Sequence, residues 1–297
     1  MKMLFLLIKR NMRMFFKDFG MFFTSLITPL ILLLLYATFL SNVYRDTFLA
    51  QLGSFEVSDE IIGGLVGGQL FSSLLAVSCV TVAFCSNLLM VQDRVSGARR
   101  DLLIAPVRRS RLAVAYYVAT LAVTLLIALF AMLASMIYLA IVGWYLSFAD
   151  VLLLLLDIVL LVMFGTALSS VVNYFLTSQG QMSAVGTIVS SCYGFLCGAY
   201  MPISSFSEGL QGALSFLPGT YATSLLRNHA LRGAFAELEA SGVPGELISA
   251  MRDGVDCNLY FFGAQVREGV MYAVLGGAVL LFFGIFLLIN RLDKRKI

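Results

Sequence analysis

This chain is short of almost everything that a soluble domain or a catalyst would need. Only 12% of its 297 residues are charged, one residue is histidine, one is tryptophan, and 60% are hydrophobic. With a mean hydropathy of +0.93, a soluble domain of this size could not hide its apolar surface, so lipid is the solvent for much of the chain. No G-x-x-x-x-G-K-[ST] phosphate loop is present, which excludes ATP hydrolysis by that route. H-E-x-x-H, G-x-S-x-G and any His/Cys/Asp cluster are missing too, which leaves no catalytic constellation. The lone His229 has no Cys or His near it in sequence and reads as an ordinary polar residue. Cys79, Cys85, Cys192 and Cys197 fall inside apolar runs and Cys257 stands alone in a polar one, so they read as small apolar filler rather than as disulfides or metal ligands. Basic residues sit beside apolar runs rather than on a domain of their own, which argues against nucleic acid as a partner. No Asn-x-Ser/Thr sequon occurs, which favours a bacterial source.

What is present is a series of long apolar segments. Residues 3–19 come first, with Phe5, Ile8, Met12, Phe15 and Phe19 at helical spacing and Lys9, Arg10, Arg13 and Lys17 on the other side. That pattern predicts an amphipathic helix lying in the membrane interface, its basic face toward lipid headgroups. The apolar run that follows is of bilayer length and lacks a small-residue cleavage site, so it reads as an uncleaved first span. Six spans are expected, near Gly20–Leu40, Gly64–Val91, Leu112–Gly143, Val151–Phe175, Met182–Met201 and Gly269–Asn290. The expected fold class is an all-α integral membrane protein forming one transmembrane domain over residues 1–297.

Orientation follows from the cations. With the N-terminus inside, the inner segments hold 15 of the 20 Lys and Arg residues and the outer segments five, which predicts cytoplasmic N- and C-termini. Trp144 and Tyr145 then sit at an outer interface. Segment 92–111 carries six arginines and two aspartates in twenty residues, more than topology requires, so a protein contact is expected there. In the outer region 202–268, the stretch from Pro202 to Gly233 is too apolar for a solvated loop and is interrupted by Pro218 and Gly219. It suggests a re-entrant helical hairpin between spans five and six. Two short helices are expected after it, one over Phe235–Ala240 and one beginning after Pro244–Gly245 with Glu246 in its first turn.

Two features inside the spans invite a functional reading. Asp157 is the one ionisable residue well inside a span, and a carboxylate there must face protein or water. A substrate path, a helix-pairing bond or a wet position near the outer interface would each suit it. On span five, Ser183, Thr187, Ser190, Ser191, Gly194 and Gly198 form a stripe of small and polar residues, with Gly194 and Gly198 as a G-x-x-x-G pair. Such a stripe suits close helix packing, or the lining of a path between two copies. Gly63/Gly67 and Gly64/Gly68 repeat the spacing in span two.

Two stretches carry a resemblance. DRVSGARRDLLIAPVRRSRL has Asp93, Gly97, Leu102–Leu103, Pro106 and Arg108–Arg109 in the order found between spans two and three of type-2 ABC exporter permeases, with Ala98, Arg99 and Arg100 where members often have Thr-Leu-Glu. GAYMPISSFSEGLQGALSFLPGTYATSLLR resembles that family's outer re-entrant segment at Pro202, Pro218, Tyr221 and Arg227, with Ser207 where a proline is common. FFKDFGMFFTSLITPLILLLLY, with Pro29, is similar to its first span. The resemblance implies a two-fold pair of permeases, as a homodimer or with a homologue, above two ABC ATPase subunits that bind ATP and Mg, this chain holding no cofactor of its own. It makes Asp93–Pro106 a coupling helix, with Asp93, Arg94, Gly97, Arg99, Arg100, Asp101 and Pro106 as candidate ATPase contacts. Gly97 is expected to allow close approach there, and Arg10, Arg13 and Lys17 of the interfacial helix to make a second contact. The expected substrate path or dimer interface is Thr187, Ser190, Ser191, Gly194, Gly198 and Asp157. Apolar spans with few charges suit a hydrophobic or amphipathic cargo (multidrug efflux, an antimicrobial, a lipid) moved across a bacterial plasma membrane. A glycan exporter of the same family is the nearest alternative. An ATP-independent secondary transporter is the next, and the missing charge relay counts against it.

Overall fold

The computed structural model describes residues 2–53, 55–104 and 107–292. Pro106 of the expected coupling segment and Lys294–Lys296 of the basic C-terminus lie outside them. Twelve α-helices account for most of the described chain. The first, α1 (Lys2–Lys17), ends where Asp18 caps α2 (Phe19–Leu35) by accepting from the Met21 amide at 3.0 Å. A π-turn over Tyr36–Leu40 joins α2 to α3 (Ser41–Leu52) without a break, so the first span runs well beyond the expected Leu40. Then come α4 (Asp59–Val95), α5 (Ala98–Ile104), α6 (Arg109–Val142), α7 (Phe148–Phe175) and α8 (Gln179–Leu196). Ser58 caps α4, and a reciprocal Ser147/Asp150 box caps α7, which supplies partners for amides that a helix start leaves unpaired.

Five helices among the described residues are long and apolar enough to cross a membrane: Phe19–Leu52, α4, α6, α7 and α12 (Glu268–Leu292). The protein is a multi-pass helical membrane protein. In the place of the expected fifth span, α8 is an 18-residue helix rich in Ser, Gly and Gln and is not one of those five. It stops short of Met201 because Gly198 turns left-handed (φ 75°), with Ala199 N–H donating to Gly194 O and Gly198 N–H to Phe195 O. This pair of bonds closes a Schellman C-cap.

The bundle is organised around α4, whose apolar window is 94% buried. Its glycines let neighbours approach closely within the same chain. A Cβ on Gly63 would fall 2.5 Å from Val142 O, one on Gly64 2.5 Å from the Tyr145 ring, and one on Gly68 2.8 Å from Ala230 O. Inside this packing a small polar knot ties α4 to α6 and α7. Asn87 donates to Ser169 and Ser170 at 3.0 and 2.9 Å, while Ser86 and Thr124 bond at 3.1 Å. One end of the bundle, called the base, gathers Leu7, Met90, Leu112, Tyr116 and Phe286 into a single cluster. The opposite end, the crown, holds the 3-10 turn Ile203–Ser205, α9 (Glu208–Leu214), α10 (Pro218–Ala240) and α11 (Gly245–Gly254).

One expectation needs correction at the crown. Phe235–Ala240 is not a helix of its own but the last turns of α10, which begins with Pro218 in its first turn. Gly233 does not break α10; it is small because a Cβ would overlap Tyr145 O. Among the described residues a hairpin of two-residue strands, Tyr260–Phe261 with Ala264–Gln265, is the one extended pairing in an otherwise helical chain. On α1 the strip packed against the protein is Leu7, Asn11 and Phe15, whereas Phe5, and Phe19 at the start of α2, are exposed.

Candidate functional site

At the base, the chain turns out of α4 through Gly97, which adopts φ 84°. A Cβ there would meet nothing within 4 Å, so within this chain the glycine serves the left-handed turn rather than a close approach. The next element, α5, is a seven-residue helix with two faces. Leu102 and Leu103 pack toward the base cluster, while Arg100, Asp101 and Ile104 point away from it, Ile104 being 80% exposed. Arg100 and Ile104 are one turn apart and share a side of the helix.

Asp93, Arg94 and Arg99, in contrast, are engaged inside the chain. Asp93 is buried and forms a two-pronged ion pair with Arg10, one prong at 2.9 Å, while Tyr116 Oη donates to the same carboxylate at 2.5 Å. These hydrogen bonds push the Arg10 guanidinium above its ordinary value, burial opposing them. α1, α4 and α6 are thus fastened at one point. Arg94 donates to the carbonyls of Tyr174 and Leu176, where α7 ends, and its guanidinium lies over the Tyr174 ring at 5.3 Å. Arg10, Asp93 and Arg94 therefore form an internal lock, and α5 presents Arg100 and Asp101 outward. Arg13 and Lys17 are exposed on α1. Arg99 is half-buried and has partners of its own.

Above the base, α2, α4 and α8 enclose a groove of 1030 Å³. Thr187, Ser190 and Ser191 of α8 line it opposite Thr24, Thr28 and Ile31 of α2. The wall thus alternates hydroxyls with large apolar side chains. The hydroxyls of Thr187 and Ser191 bond back to carbonyls one turn earlier in α8, leaving oxygen lone pairs toward the groove. The other residues expected on this path lie elsewhere. Gly194 packs under Tyr200, where a Cβ would come within 2.4 Å of the ring, and Gly198 forms the helix cap. Their G-x-x-x-G spacing serves this chain's own turn. Asp157 does not line the groove.

Asp157 belongs to a buried cluster at the crown that sequence reasoning missed. His229 Nδ1 lies 2.6 Å from Asp157 Oδ2, and Tyr272 Oη donates to Oδ1 at 2.6 Å, joining α7, α10 and α12. Both His229 and Asp157 are 1% exposed, so His229 is not an ordinary polar residue. Glu268 approaches the other imidazole nitrogen at 3.9 Å, and Arg232 pairs with Asp150 at 3.1 Å. Beside it, Arg227 is also 1% exposed. It donates to Asp256 at 3.0 Å and to Gly198 O, and that carboxylate also accepts the amides of Ile203 and Ser204 next to Pro202. With its oxygen turned toward the guanidinium, Gln69 accepts from Arg227 Nε at 3.3 Å. Arg227 and Asp256 thus hold the crown together beside Pro202, and Pro218 opens α10. Cys257, next to this cluster, is buried rather than solvated, and burial pushes its thiol up to about 12.

No curated protein matches this chain. One family model does: the ABC-2 type transporter, over residues 2–230 of the 297, from α1 to the middle of α10. That match takes in the base lock, the groove and the crown helix behind it, and on it the chain belongs to the ABC-2 type transporter family, as a permease, the membrane component of an ABC transporter.

Proposed function

We propose that this permease moves a hydrophobic or amphipathic cargo (a drug, an antimicrobial peptide or a lipid) outward across the bacterial plasma membrane. Permeases of this family have no ATPase domain of their own and typically pair with an ABC ATPase. The complex would be a two-fold pair of permeases on two ATPase subunits, which bind ATP and Mg. The base faces the cytoplasm, a placement supported by 15 of the 20 Lys and Arg residues falling in the inner segments. In this reading α8 is the fifth of six spans, and α9 with the start of α10 dips into the outer leaflet.

The observation that carries the reading is the groove between α2 and α8. A wall mixing Thr and Ser hydroxyls with Ile and Leu suits a cargo that is largely apolar and has a few polar groups. A second copy across the groove would close it into a central path. The exposed face of α5 supplies the drive. Arg100, Asp101 and Ile104 stand clear of the bundle, as a segment seated in an ATPase cleft must. Closure of the ATPases then moves the helices attached to that segment and shifts the path outward.

Reconstitution of the permease with its ATPase in vesicles, against a panel of lipophilic drugs, lipids and lipid-linked glycans, tests the proposal. ATP-dependent movement of an amphipathic compound, lost in Thr187→Phe, is the expected result. Uptake of glycans alone, or transport without the ATPase, would replace it. Coupling is tested separately by Arg100→Glu/Ile104→Glu. A reversed charge in a partly desolvated contact costs several kcal/mol, so this variant should insert normally and lose the ATPase on co-purification.

A further inference from the structure

A second groove lies on another side of the bundle, between α2 and α6, apart from the 1030 Å³ groove of the proposed path. It measures 480 Å³ and is floored by Leu74 of α4, with Leu26 and Leu30 on one wall and Phe130 on the other. Its lining is wholly apolar in residue type, and Phe16 of α1 stands at the base end. A smaller hollow of 270 Å³ shares Leu33, Leu74 and Ala134 with it and continues toward the crown. Along α6 the main groove runs from Leu126 to Ala134, about 12 Å at the helical rise per residue. That is close to one leaflet, roughly half of a hydrocarbon core about 30 Å thick.

The mouth of this groove is cationic. Lys9, Arg13 and Lys17 follow one another at four-residue steps along α1 and are all exposed. Such steps put them on one side of the helix. Arg13 is three residues and Lys17 one residue from Phe16, at the groove's base end. Arg10 is held by Asp93, whereas among the described residues these three cations have no ion pair. We propose that the groove and this stripe together form a binding site for an anionic phospholipid, with one acyl chain between α2 and α6 and the phosphodiester on Arg13 and Lys17. Neither part alone selects such a molecule. The groove would take any chain, and the stripe any anion, but a groove one leaflet deep that opens under a row of cations fits a headgroup and a tail joined to each other. The site is independent of the cargo and of the α2/α8 groove. The lipid would wedge α1 and α2 against α6, close to the Arg10–Asp93 lock.

Native mass spectrometry of the full permease, purified with its partners, tests this. The probes are phosphatidylglycerol and phosphatidylcholine of identical chains, added to delipidated protein. Phosphatidylglycerol should be retained preferentially. Lys9→Gln/Arg13→Gln/Lys17→Gln should lower its affinity by roughly tenfold to a hundredfold, given the contribution of each surface cation to anionic lipid binding, and should abolish the preference. Ala134→Trp, which fills the groove and leaves the cations in place, should remove the tightly held lipid of either headgroup. Equal retention of the two probes by the unaltered protein overturns the proposal, as does a preference that survives both variants. Ala134→Cys gives a further check. A disulfide between two copies at that position would show that a second permease covers the groove, and would also overturn it. Should the triple variant fail to assemble, Ala134→Trp decides the question alone.

Discussion

The Arg227–Asp256 pair offers the sharpest test of how the crown is held. Arg227 is 1% exposed, and Asp256 receives its guanidinium together with two backbone amides. Replacing Arg227 by Met keeps much of the side-chain volume and leaves a buried carboxylate without its cation. Breaking a buried pair from one side costs about 3–5 kcal/mol, because the remaining charge is neither solvated nor paired. Asp256→Asn strands the buried guanidinium instead, but Arg227 keeps Gly198 O and Gln69 as acceptors and the new amide oxygen still accepts one backbone amide, so its effect is smaller. The double variant has no charge left to strand, so it should be less destabilised than the sum of the singles by about 1–3 kcal/mol, the range for directly interacting residues. At roughly 2–4 °C per kcal/mol for a chain of this size, Arg227→Met should lower the melting midpoint by roughly 6–20 °C. Thermal melts of detergent-solubilised protein, followed by size exclusion, measure all four corners of the cycle. If Arg227→Met melts within about 2 °C of the unaltered protein and the singles add, the pair is not buried in the way the contacts require, and the account of the crown fails.

Other outcomes follow from the same contacts. His229→Ala should destabilise more than His229→Ala/Asp157→Asn, because the first strands the Asp157 carboxylate and the second removes its charge; the same melts rank them. Gly97→Ala meets no clash but must hold φ 84°, a strain of about 1–2 kcal/mol, so it should fold and yet bind the ATPase more weakly on co-purification, with Gly97→Asn milder. Gly64→Leu should prevent a stable bundle, since its Cβ alone would sit 2.5 Å from the Tyr145 ring; a normal size-exclusion profile would refute that packing. Cys257, buried and with its thiol pushed up to about 12, should resist alkylation at pH 8 until the protein is denatured, whereas the exposed Cys192 should react in detergent.

Much of this architecture was legible because lipid imposes long apolar runs. The spans containing α4, α6, α7 and α12 were placed within a few residues, and the helix α1 was visible in its period. What stayed hidden were contacts between residues far apart in sequence. Asp157 and His229 are separated by 72 positions and Arg10 and Asp93 by 83, and a single sequence gives no sign that such residues meet. His229 therefore looked ordinary, and Asp93 looked available to a partner. Glycines were ambiguous for another reason. Gly64, Gly97 and Gly198 read alike in sequence, yet one permits close packing and two permit left-handed backbone. The i, i+4 spacing of Gly194 and Gly198 fits a helix interface and a C-cap equally well until the helix end is known.

The close seating of α4 has a mechanical consequence. With Val142 O, Tyr145 and Ala230 O pressed against its glycines, and with Asn87 bonded across to α7, α4 has no room to slide against α6, α7 or α10. Close-packed interiors switch between discrete arrangements rather than deform. These four helices therefore behave as a stator. In the proposed transport, opening and closing of the groove would fall to its two other walls, α2, carrying Pro29 and leading into a π-turn, and α8, which ends at a glycine cap. In the proposed cycle a stroke delivered at α5 would be felt as a tilt of α2 and α8 about a fixed post, and the polar stripe of α8 would be the surface that such a tilt turns from one side of the membrane to the other.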